Sequence, residues 1–202
     1  MKLYFSPGAC SLSPHIVLLE AGLPFSLDKV DLKAKTTASG QDYRTINAKG
    51  YVPALQLDSG EVLTEGPAIV QYLADLAPDK NLAPANGSLA RYQLQACLNF
   101  IGTEIHKNYS PLFDPSAGED VKERARAGLL KRYAYLNDQL ADSDFLLGKQ
   151  FSVADIYLFV VTSWAGFLKF DLSAFPQVLA FQKRIGARPA VQQALRAEGL
   201  ID

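Results

Sequence analysis

Cys10 is the residue of this chain whose type and position most clearly suggest chemistry. It follows a short extended segment and the turn Pro7-Gly8-Ala9, and it stands at the start of the first predicted helix. Unpaired backbone N–H groups at a helix start favour an anion, and a lowered pKa favours the reactive thiolate form of cysteine. A small packed cysteine is also common at such a position. Cys10 is therefore a candidate reactive thiol, with a purely structural role as the alternative.

The spacing of Cys10 and Ser13 gives Cys-x-x-Ser. This pattern is typical of a monothiol redox site, which can form a mixed disulfide but lacks a resolving cysteine. The other cysteine, Cys97, lies inside a long predicted helix without a cationic neighbour closer than Arg91. We expect Cys97 to be an inert packed thiol. Two cysteines do not make a disulfide framework.

A second candidate is His106, on the same long predicted helix as Cys97. Leu94, Leu98, Ile101 and Ile105 form an apolar stripe there, and the opposite side carries Asn99, Thr103 and His106. The spacing i, i+4, i+7 puts these polar residues on one face, as in a helix that lines a cleft. Imidazole can accept or donate a proton near neutral pH, although an exposed histidine without a role is an equally good interpretation. His15 is expected to be a packing or surface residue.

Several function classes find no support in the sequence. The two histidines and two cysteines lack metal-ligand spacing, so no metal is expected. Glycine-rich phosphate loops and the G-x-S-x-G elbow are absent. The formal net charge is −1, which does not favour nucleic acid as a partner. The apolar start Met1–Phe5 is too short for a signal peptide or a membrane span, so we expect a cytoplasmic protein.

The elements that must position these residues form two groups. The first third alternates strands and helices, an α/β pattern: strands at 2–5, 26–30 and 54–57, and helices at 12–21 and 66–76. A stretch rich in turn formers, 77–87, predicts a linker. Nearly all that follows is predicted to be helical. We therefore expect two domains, 1–80 and 87–202.

One helix start in the second half is well defined by its own residues. The Ser152 hydroxyl can cap the helix, and the Asp155 side chain at the third position can accept a hydrogen bond from the backbone N–H of Ser152. Phe151 can pack against Ile156. This is a folding motif, which explains the Asp155 carboxylate better than a catalytic role does.

Taken together, these stretches resemble the bacterial beta class of glutathione transferases from Met1 to about Leu200. The matching stretches are Lys2-Leu3-Tyr4, Pro7 to His15, Lys49-Gly50, Val52 to Leu55, Leu63 to Gly66 with Ala68-Ile69, and Glu104 with His106-Lys107. The resemblance implies a thioredoxin-like N-terminal domain followed by a helical-bundle C-terminal domain. It also implies a homodimer that uses glutathione as co-substrate.

The resemblance also implies a role for particular residues. Val52, before a cis Pro53, would pair with the cysteinyl backbone of glutathione. Glu65 and Gly66 would hold its γ-glutamyl end, and Lys35 would face its glycyl carboxylate. Contributions from the helical domain, near the sulfur and the cleft, would come from Asn99, Glu104, His106 and Lys107; the polar stripe adds Thr103.

Two residues depart from the family's usual pattern. Phe5 stands where the family often has tyrosine, and Tyr51 stands where it often has glutamine. Phe5 cannot donate a hydrogen bond, so Cys10, Ser11 and His106 must serve the sulfur without it. Tyr51 is expected to change the shape of the site where the glycyl end of glutathione would bind.

The leading hypothesis is a glutathione transferase that joins the glutathione thiolate to a small hydrophobic electrophile, a reaction typical of detoxification. The second is thiol–disulfide exchange, or dehalogenation, through a mixed disulfide at Cys10. The third is a glutathione-binding or ligand-binding protein without turnover, because a fold does not fix a function.

Overall fold

The computed structural model describes all residues, Met1–Asp202, as two compact units. Unit 1 contains Met1–Ala83 and Arg188–Asp202, and unit 2 contains Pro84–Ala187. None of the helices combines the length and apolar character that crossing a membrane requires.

Unit 1 is built on a five-stranded sheet in the order β3-β2-β1-β4-β5. The strands are β1 (Lys2–Phe5), β2 (Ser26–Asp31), β3 (Thr36–Thr37), β4 (Ala54–Gln56) and β5 (Val62–Thr64). β1 runs parallel to β2, whereas the pairs β1/β4, β4/β5 and β2/β3 are antiparallel. This is the thioredoxin-like arrangement that the resemblance implies. The sequence pattern did not predict the short strands β3 and β5.

Unit 1 also has three helices: α1 (Leu12–Ala21), α2 (Gly66–Asp75) and the last helix of the chain, α8 (Pro189–Ala197). α1 and α2 pack on the sheet, and α8 packs on α1. Residues 188–202, expected in the second domain, belong to unit 1 because α8 is tied to α1. One tie is the bidentate pair of Arg188 with Glu20, at 2.6 and 2.9 Å.

Unit 2 is helical. Its helices are α3 (Leu89–Phe100), α4 (Lys107–Phe113), α5 (Glu119–Gln139), α6 (Val153–Phe167) and α7 (Pro176–Gly186). A π-helical segment, Ile101–His106, joins α3 to α4. The four residues of the predicted apolar stripe, Leu94, Leu98, Ile101 and Ile105, are all buried.

The predicted start of α6 is confirmed as a capping box. The Ser152 hydroxyl accepts a hydrogen bond from the backbone N–H of Ala154, and Asp155 accepts from the backbone N–H of Ser152 at 2.8 Å. Asp155 also accepts from the backbone N–H of Leu146 at 2.8 Å. Both side chains of the box are buried. Asp155 therefore joins the helix start to the preceding loop.

Candidate functional site

Cys10 lies at the end of a tight turn between β1 and α1. Gly8 has a φ of 71°, a left-handed conformation that glycine adopts without steric cost. Within the turn the Ala9 N–H donates to the Ser6 carbonyl at 3.1 Å. The Ser11 hydroxyl accepts from the Ser6 N–H and donates to the Ser6 carbonyl, at 3.1 and 3.2 Å. The buried Ser11 thus closes the turn that carries Cys10.

The Cys10 thiol donates a hydrogen bond to the carbonyl oxygen of Val52, 3.4 Å from the sulfur. Although the residue is partly exposed, burial raises the pKa of its thiol to about 12, and the negative charge of Glu65 adds to this. The backbone N–H groups of Cys10 and Ser11 act in the opposite direction but are outweighed. The expectation of a lowered pKa at Cys10 is therefore wrong. Cys10 does lie at a helix start, but desolvation raises its pKa by more than the backbone N–H groups lower it.

The segment that accepts this hydrogen bond is held by its neighbours. The Val52–Pro53 peptide bond is cis, and β4 follows at Ala54. One residue earlier, the carbonyl of Tyr51 accepts from the Tyr43 hydroxyl at 3.1 Å and from Asn47 Nδ2 at 2.7 Å. The backbone on either side of Val52 is thereby fixed next to Cys10.

Lys35 lies beside the same segment. Its Nζ donates to the carbonyl oxygen of Gly50 at 2.6 Å, and its own φ is 59°. A Cβ at Gly50 would lie 3.6 Å from Lys35 Cδ, and the φ of 70° at Gly50 disfavours any side chain. Gly50 therefore gives room for a cation next to Tyr51, whose side chain is 51% exposed.

Glu65 precedes α2 with a φ of 70°, an unusual conformation for a residue other than glycine. Such strained positions cluster at functional sites. Its carboxylate pairs with Lys49 Nζ at 2.5 Å, and the same ammonium reaches Thr64 Oγ1 at 3.2 Å. Glu65 is exposed, and Gly66 begins the helix, so the first N–H groups of α2 adjoin a carboxylate at the surface.

In unit 2 the predicted polar stripe is partly exposed. Asn99 and Thr103 are exposed, and His106 is half-buried. The neighbouring Lys107 is also exposed. Thr103 donates its hydroxyl hydrogen to the Asn99 carbonyl at 3.0 Å, so it bonds within its own helix. The π-helical segment ends at His106, and such segments are frequent at functional sites.

The His106 ring is held by aromatic neighbours. Its Nδ1 lies 2.7 Å from the Tyr157 hydroxyl oxygen, and its ring packs edge-on against Trp164 with centroids 4.8 Å apart. Tyr157 is nearly buried on α6. The Tyr157 hydroxyl can donate to or accept from the ring nitrogen, so the bond suits either tautomer but fixes the orientation of the His106 ring.

Glu104, which is not part of this stripe, pairs with a residue of another helix. Its carboxylate forms an ion pair with Arg132 of α5, with contacts of 2.5 and 2.7 Å. Glu104 and Arg132 both line a cavity of about 640 Å³ within unit 2. Cys97 lines the same cavity and is partly exposed rather than fully packed. Burial still raises the pKa of the Cys97 thiol.

The structure thus collects the candidate residues in two sets. Unit 1 holds Cys10, Ser11, Lys35, Val52, Pro53, Glu65 and Gly66, and unit 2 holds Asn99, Thr103, Glu104, His106 and Lys107.

Three residues that adjoin the candidates gave no signal in the sequence. Lys49 pairs with Glu65, Tyr157 contacts His106, and Glu198 accepts a hydrogen bond from the backbone N–H of Gly8 at 2.9 Å. The residues of these pairs are 16, 51 and 190 positions apart. No local pattern could have found them, although Lys49 lies within a stretch that the resemblance quotes.

Comparison with known proteins gives a consistent result. Residues 8–76 match the family described as glutathione S-transferase, N-terminal domain, and residues 100–189 match glutathione S-transferase, C-terminal domain. Glutathione S-transferase GstA of Escherichia coli O157:H7 is 48% identical over 99% of this chain and 100% of its own length.

Two solved structures extend the match to the fold. A sphingomonad glutathione S-transferase complexed with glutathione is 49% identical, with a TM-score of 0.96. A bacterial beta-class glutathione S-transferase of Sphingomonas chungbukensis is 48% identical, with a TM-score of 0.97. Both alignments cover 100% of this chain and of the matched chain. The chain therefore belongs to the glutathione S-transferase family, among its bacterial beta-class members.

Proposed function

We propose that this protein joins the sulfur of glutathione to a small hydrophobic electrophile. The observation that carries the proposal is the contact of the Cys10 thiol with the carbonyl oxygen of Val52, next to Pro53 and the start of α2. In the reaction, the thiolate of glutathione attacks an electrophilic carbon such as that of an aryl chloride. A carbon–sulfur bond forms, the carbon–chlorine bond breaks, and chloride leaves with the bonding electrons.

Glutathione would bind along unit 1. We assign its γ-glutamyl carboxylate to the first N–H groups of α2 at Gly66 and its ammonium to Glu65. The exposure of Glu65 supports this, because the carboxylate that holds Lys49 is open to the surface. The backbone of Val52 would pair with the cysteinyl residue, and Lys35 would face the glycyl carboxylate.

In this mechanism Cys10 works as a neutral thiol. With its pKa raised to about 12, the sulfur keeps its proton at neutral pH and is a hydrogen-bond donor. The S–H now donates to Val52. Once the cysteinyl backbone of glutathione pairs with Val52, the S–H would turn to the glutathione sulfur and stabilise its thiolate form. Ser11 would shape the turn that presents this donor, since its hydroxyl is bonded to Ser6 on both sides.

Unit 2 would supply the residues that contact the electrophile and the group that accepts the thiol proton of glutathione. We assign His106 as acceptor for the proton that glutathione loses, with Tyr157 orienting the ring. We assign the exposed Asn99, Thr103 and Lys107 to the electrophile side as well. Glu104 would act through its pair with Arg132.

The raised pKa of Cys10 disfavours the alternative of thiol–disulfide exchange, because the thiolate is the form that attacks a disulfide. Incubation with oxidised glutathione followed by intact-mass measurement tests this. We expect no glutathione adduct on Cys10 at neutral pH. A stable adduct would instead favour the redox function.

The decisive experiment compares initial rates of glutathione conjugation to chlorodinitrobenzene in the wild type, Cys10→Ala and Cys97→Ala. We expect Cys10→Ala to lower the rate by roughly tenfold or more and Cys97→Ala to leave it unchanged. A full rate in Cys10→Ala would remove Cys10 from sulfur activation. Glutathione binding without turnover on several electrophiles would favour the non-catalytic alternative.

We also propose that the protein is a cytoplasmic homodimer that serves detoxification. The two free thiols, Cys10 and Cys97, suit a reducing compartment. The homodimer rests on the family resemblance. Sedimentation analysis of the purified chain tests it, with twice the chain mass expected; a monomer at assay concentrations would contradict it.

A further inference from the structure

Glu198 is a buried carboxylate that neither the sequence patterns nor the proposed reaction accounts for. It follows the last turn of α8, and its side chain is fully buried. A charged carboxylate is costly to bury unless its oxygens are paired. Each carboxylate oxygen of Glu198 has a hydrogen-bond partner, and both partners lie near the other end of the chain.

The first partner is the turn that carries Cys10. The backbone N–H of Gly8, two residues before Cys10, donates to Glu198 Oε2 at 2.9 Å. A hydrogen bond to an ionised acceptor is about twice as strong as one between neutral groups. The turn therefore has an external anchor in addition to its internal bonds between Ser6, Ala9 and Ser11.

The second partner is the helix that follows Cys10. His15 Nδ1 lies 2.9 Å from Glu198 Oε1, and the ring is almost fully buried between Phe5 and Phe25. A carboxylate oxygen accepts hydrogen bonds, so the pair is a hydrogen bond when the ring carries a proton on Nδ1. The Glu198 carboxylate thus binds the chain on both sides of Cys10, before it at Gly8 and after it at His15.

A simpler role for Glu198 would be to fasten α8 to α1. The Arg188–Glu20 pair already provides such a fastening, at 2.6 and 2.9 Å, and its two residues lie outside the Cys10 turn. The Arg188–Glu20 contact is therefore a suitable control for the Glu198–His15 contact. Both join the C-terminal segment to α1, and Glu198 also binds the turn.

We propose that Glu198 is a positioning residue for Cys10: its carboxylate fixes the Gly8 turn and His15, and so holds the Cys10 thiol in place for the sulfur of glutathione. The proposal rests on the proposed role of Cys10 in sulfur activation. It predicts that the C-terminal helix of unit 1 affects turnover as well as stability.

The test compares Glu198→Gln with the control Arg188→Gln. Glutamine offers one acceptor oxygen, so it cannot accept from both Gly8 and His15. We expect Glu198→Gln to lower kcat for chlorodinitrobenzene by about tenfold or more, with a smaller change in KM for glutathione, because misplacing a reacting group slows the chemical step. Arg188→Gln should lower the melting temperature but leave kcat within about twofold. Loss of stability without loss of kcat in Glu198→Gln would overturn the proposal.

Two further measurements separate this proposal from the proposed function. The Glu198→Gln change should cost no further activity in a Cys10→Ala background, since it acts through Cys10; an additive loss would overturn it. The rate at which iodoacetamide alkylates Cys10, read by peptide mass, does not depend on turnover. We expect Glu198→Gln to raise that rate about tenfold, and Arg188→Gln to leave it unchanged. An unchanged alkylation rate in Glu198→Gln would overturn the positioning role even if Cys10 proves unnecessary for conjugation.

If Glu198→Gln does not fold, Glu198→Asp takes its place. Aspartate keeps the charge but is shorter by one methylene, so it cannot reach both partners as glutamate does. We expect an intermediate loss of kcat and an intermediate rise in Cys10 alkylation. Wild-type values of both in Glu198→Asp would contradict the proposal.

Discussion

The Cys10 thiol donates its hydrogen bond to the carbonyl of Val52, 42 residues further along the chain, with 3.4 Å between sulfur and oxygen. An ionised sulfur could not donate this bond. The geometry and the raised pKa therefore agree on a neutral Cys10 thiol. This separates the chemistry of Cys10 from that of a redox cysteine, whose reactivity depends on a lowered pKa.

The pH dependence of alkylation tests this state of Cys10. In a Cys97→Ala chain, the thiolate fraction of a thiol with a pKa of about 12 grows roughly tenfold with each pH unit. We expect the iodoacetamide rate at Cys10 to rise from pH 7 to about pH 10 without levelling off. A plateau below about pH 8 would mean a lowered pKa and would restore the redox alternative.

Tyr157→Phe tests the role of the hydrogen bond at His106 Nδ1. Without the hydroxyl, the imidazole loses the hydrogen bond that fixes its orientation. We expect kcat for conjugation to fall about three- to tenfold while KM for glutathione stays near the wild-type value. Steady-state kinetics over a range of glutathione concentrations measures both.

Tyr133→Phe is the matched control for this change. Tyr133 is also buried in unit 2, and its hydroxyl bonds to those of Tyr109 and Thr162. Its loss should lower the free energy of unfolding by about 1 kcal/mol and leave kcat unchanged. If both variants lose kcat equally, the effect is not specific to His106.

Lys35→Met tests the assignment of the glycyl end of glutathione. Methionine keeps most of the apolar stem but removes the ammonium that lies beside Gly50. Losing a hydrogen bond to a charged group costs about 1.5–3 kcal/mol, so we expect KM for glutathione to rise roughly tenfold or more with kcat retained. Lys33→Met, at an exposed neighbouring position, should change neither value. Equal effects of the two variants would argue for a general charge effect.

Asp155 gives a prediction for stability. Burial raises the pKa of its carboxyl from 3.8 to about 6, against the lowering effect of its hydrogen bonds. The folded protein then binds this proton more readily than the unfolded chain does. The contribution of Asp155 to the free energy of unfolding therefore decreases as the pH rises from about 4 to above 6.

Urea unfolding of wild type and Asp155→Asn at several pH values measures this contribution. Asparagine does not titrate, so the stability of wild type relative to the variant should fall by about 1–3 kcal/mol between pH 4 and pH 7. A constant difference across this range would contradict a raised pKa. Ser152→Ala, which removes the cap without removing the carboxyl, should cost about 1 kcal/mol.

Much of the fold follows from local sequence. The spacing of Leu94, Leu98, Ile101 and Ile105 predicts a buried helix face, and all four are buried. The bounds of α1 and β1 are as predicted. The π-helical segment before His106 was missed because the same apolar spacing fits a continuous α-helix.

By itself, then, the sequence determined the longer helices, three of the five strands, the capping box at Ser152 and the turn before Cys10, because these depend on neighbours within a few residues. Only the tertiary structure decided the protonation of Cys10, the orientation of His106 and the partners of Glu198. A pKa depends on how much water surrounds a group and on which charges lie nearby. For Cys10, burial is the largest cause of the raised pKa, and the charge of Glu65, from a distant segment of the chain, adds to it, so the residue types around Cys10 predicted the wrong sign.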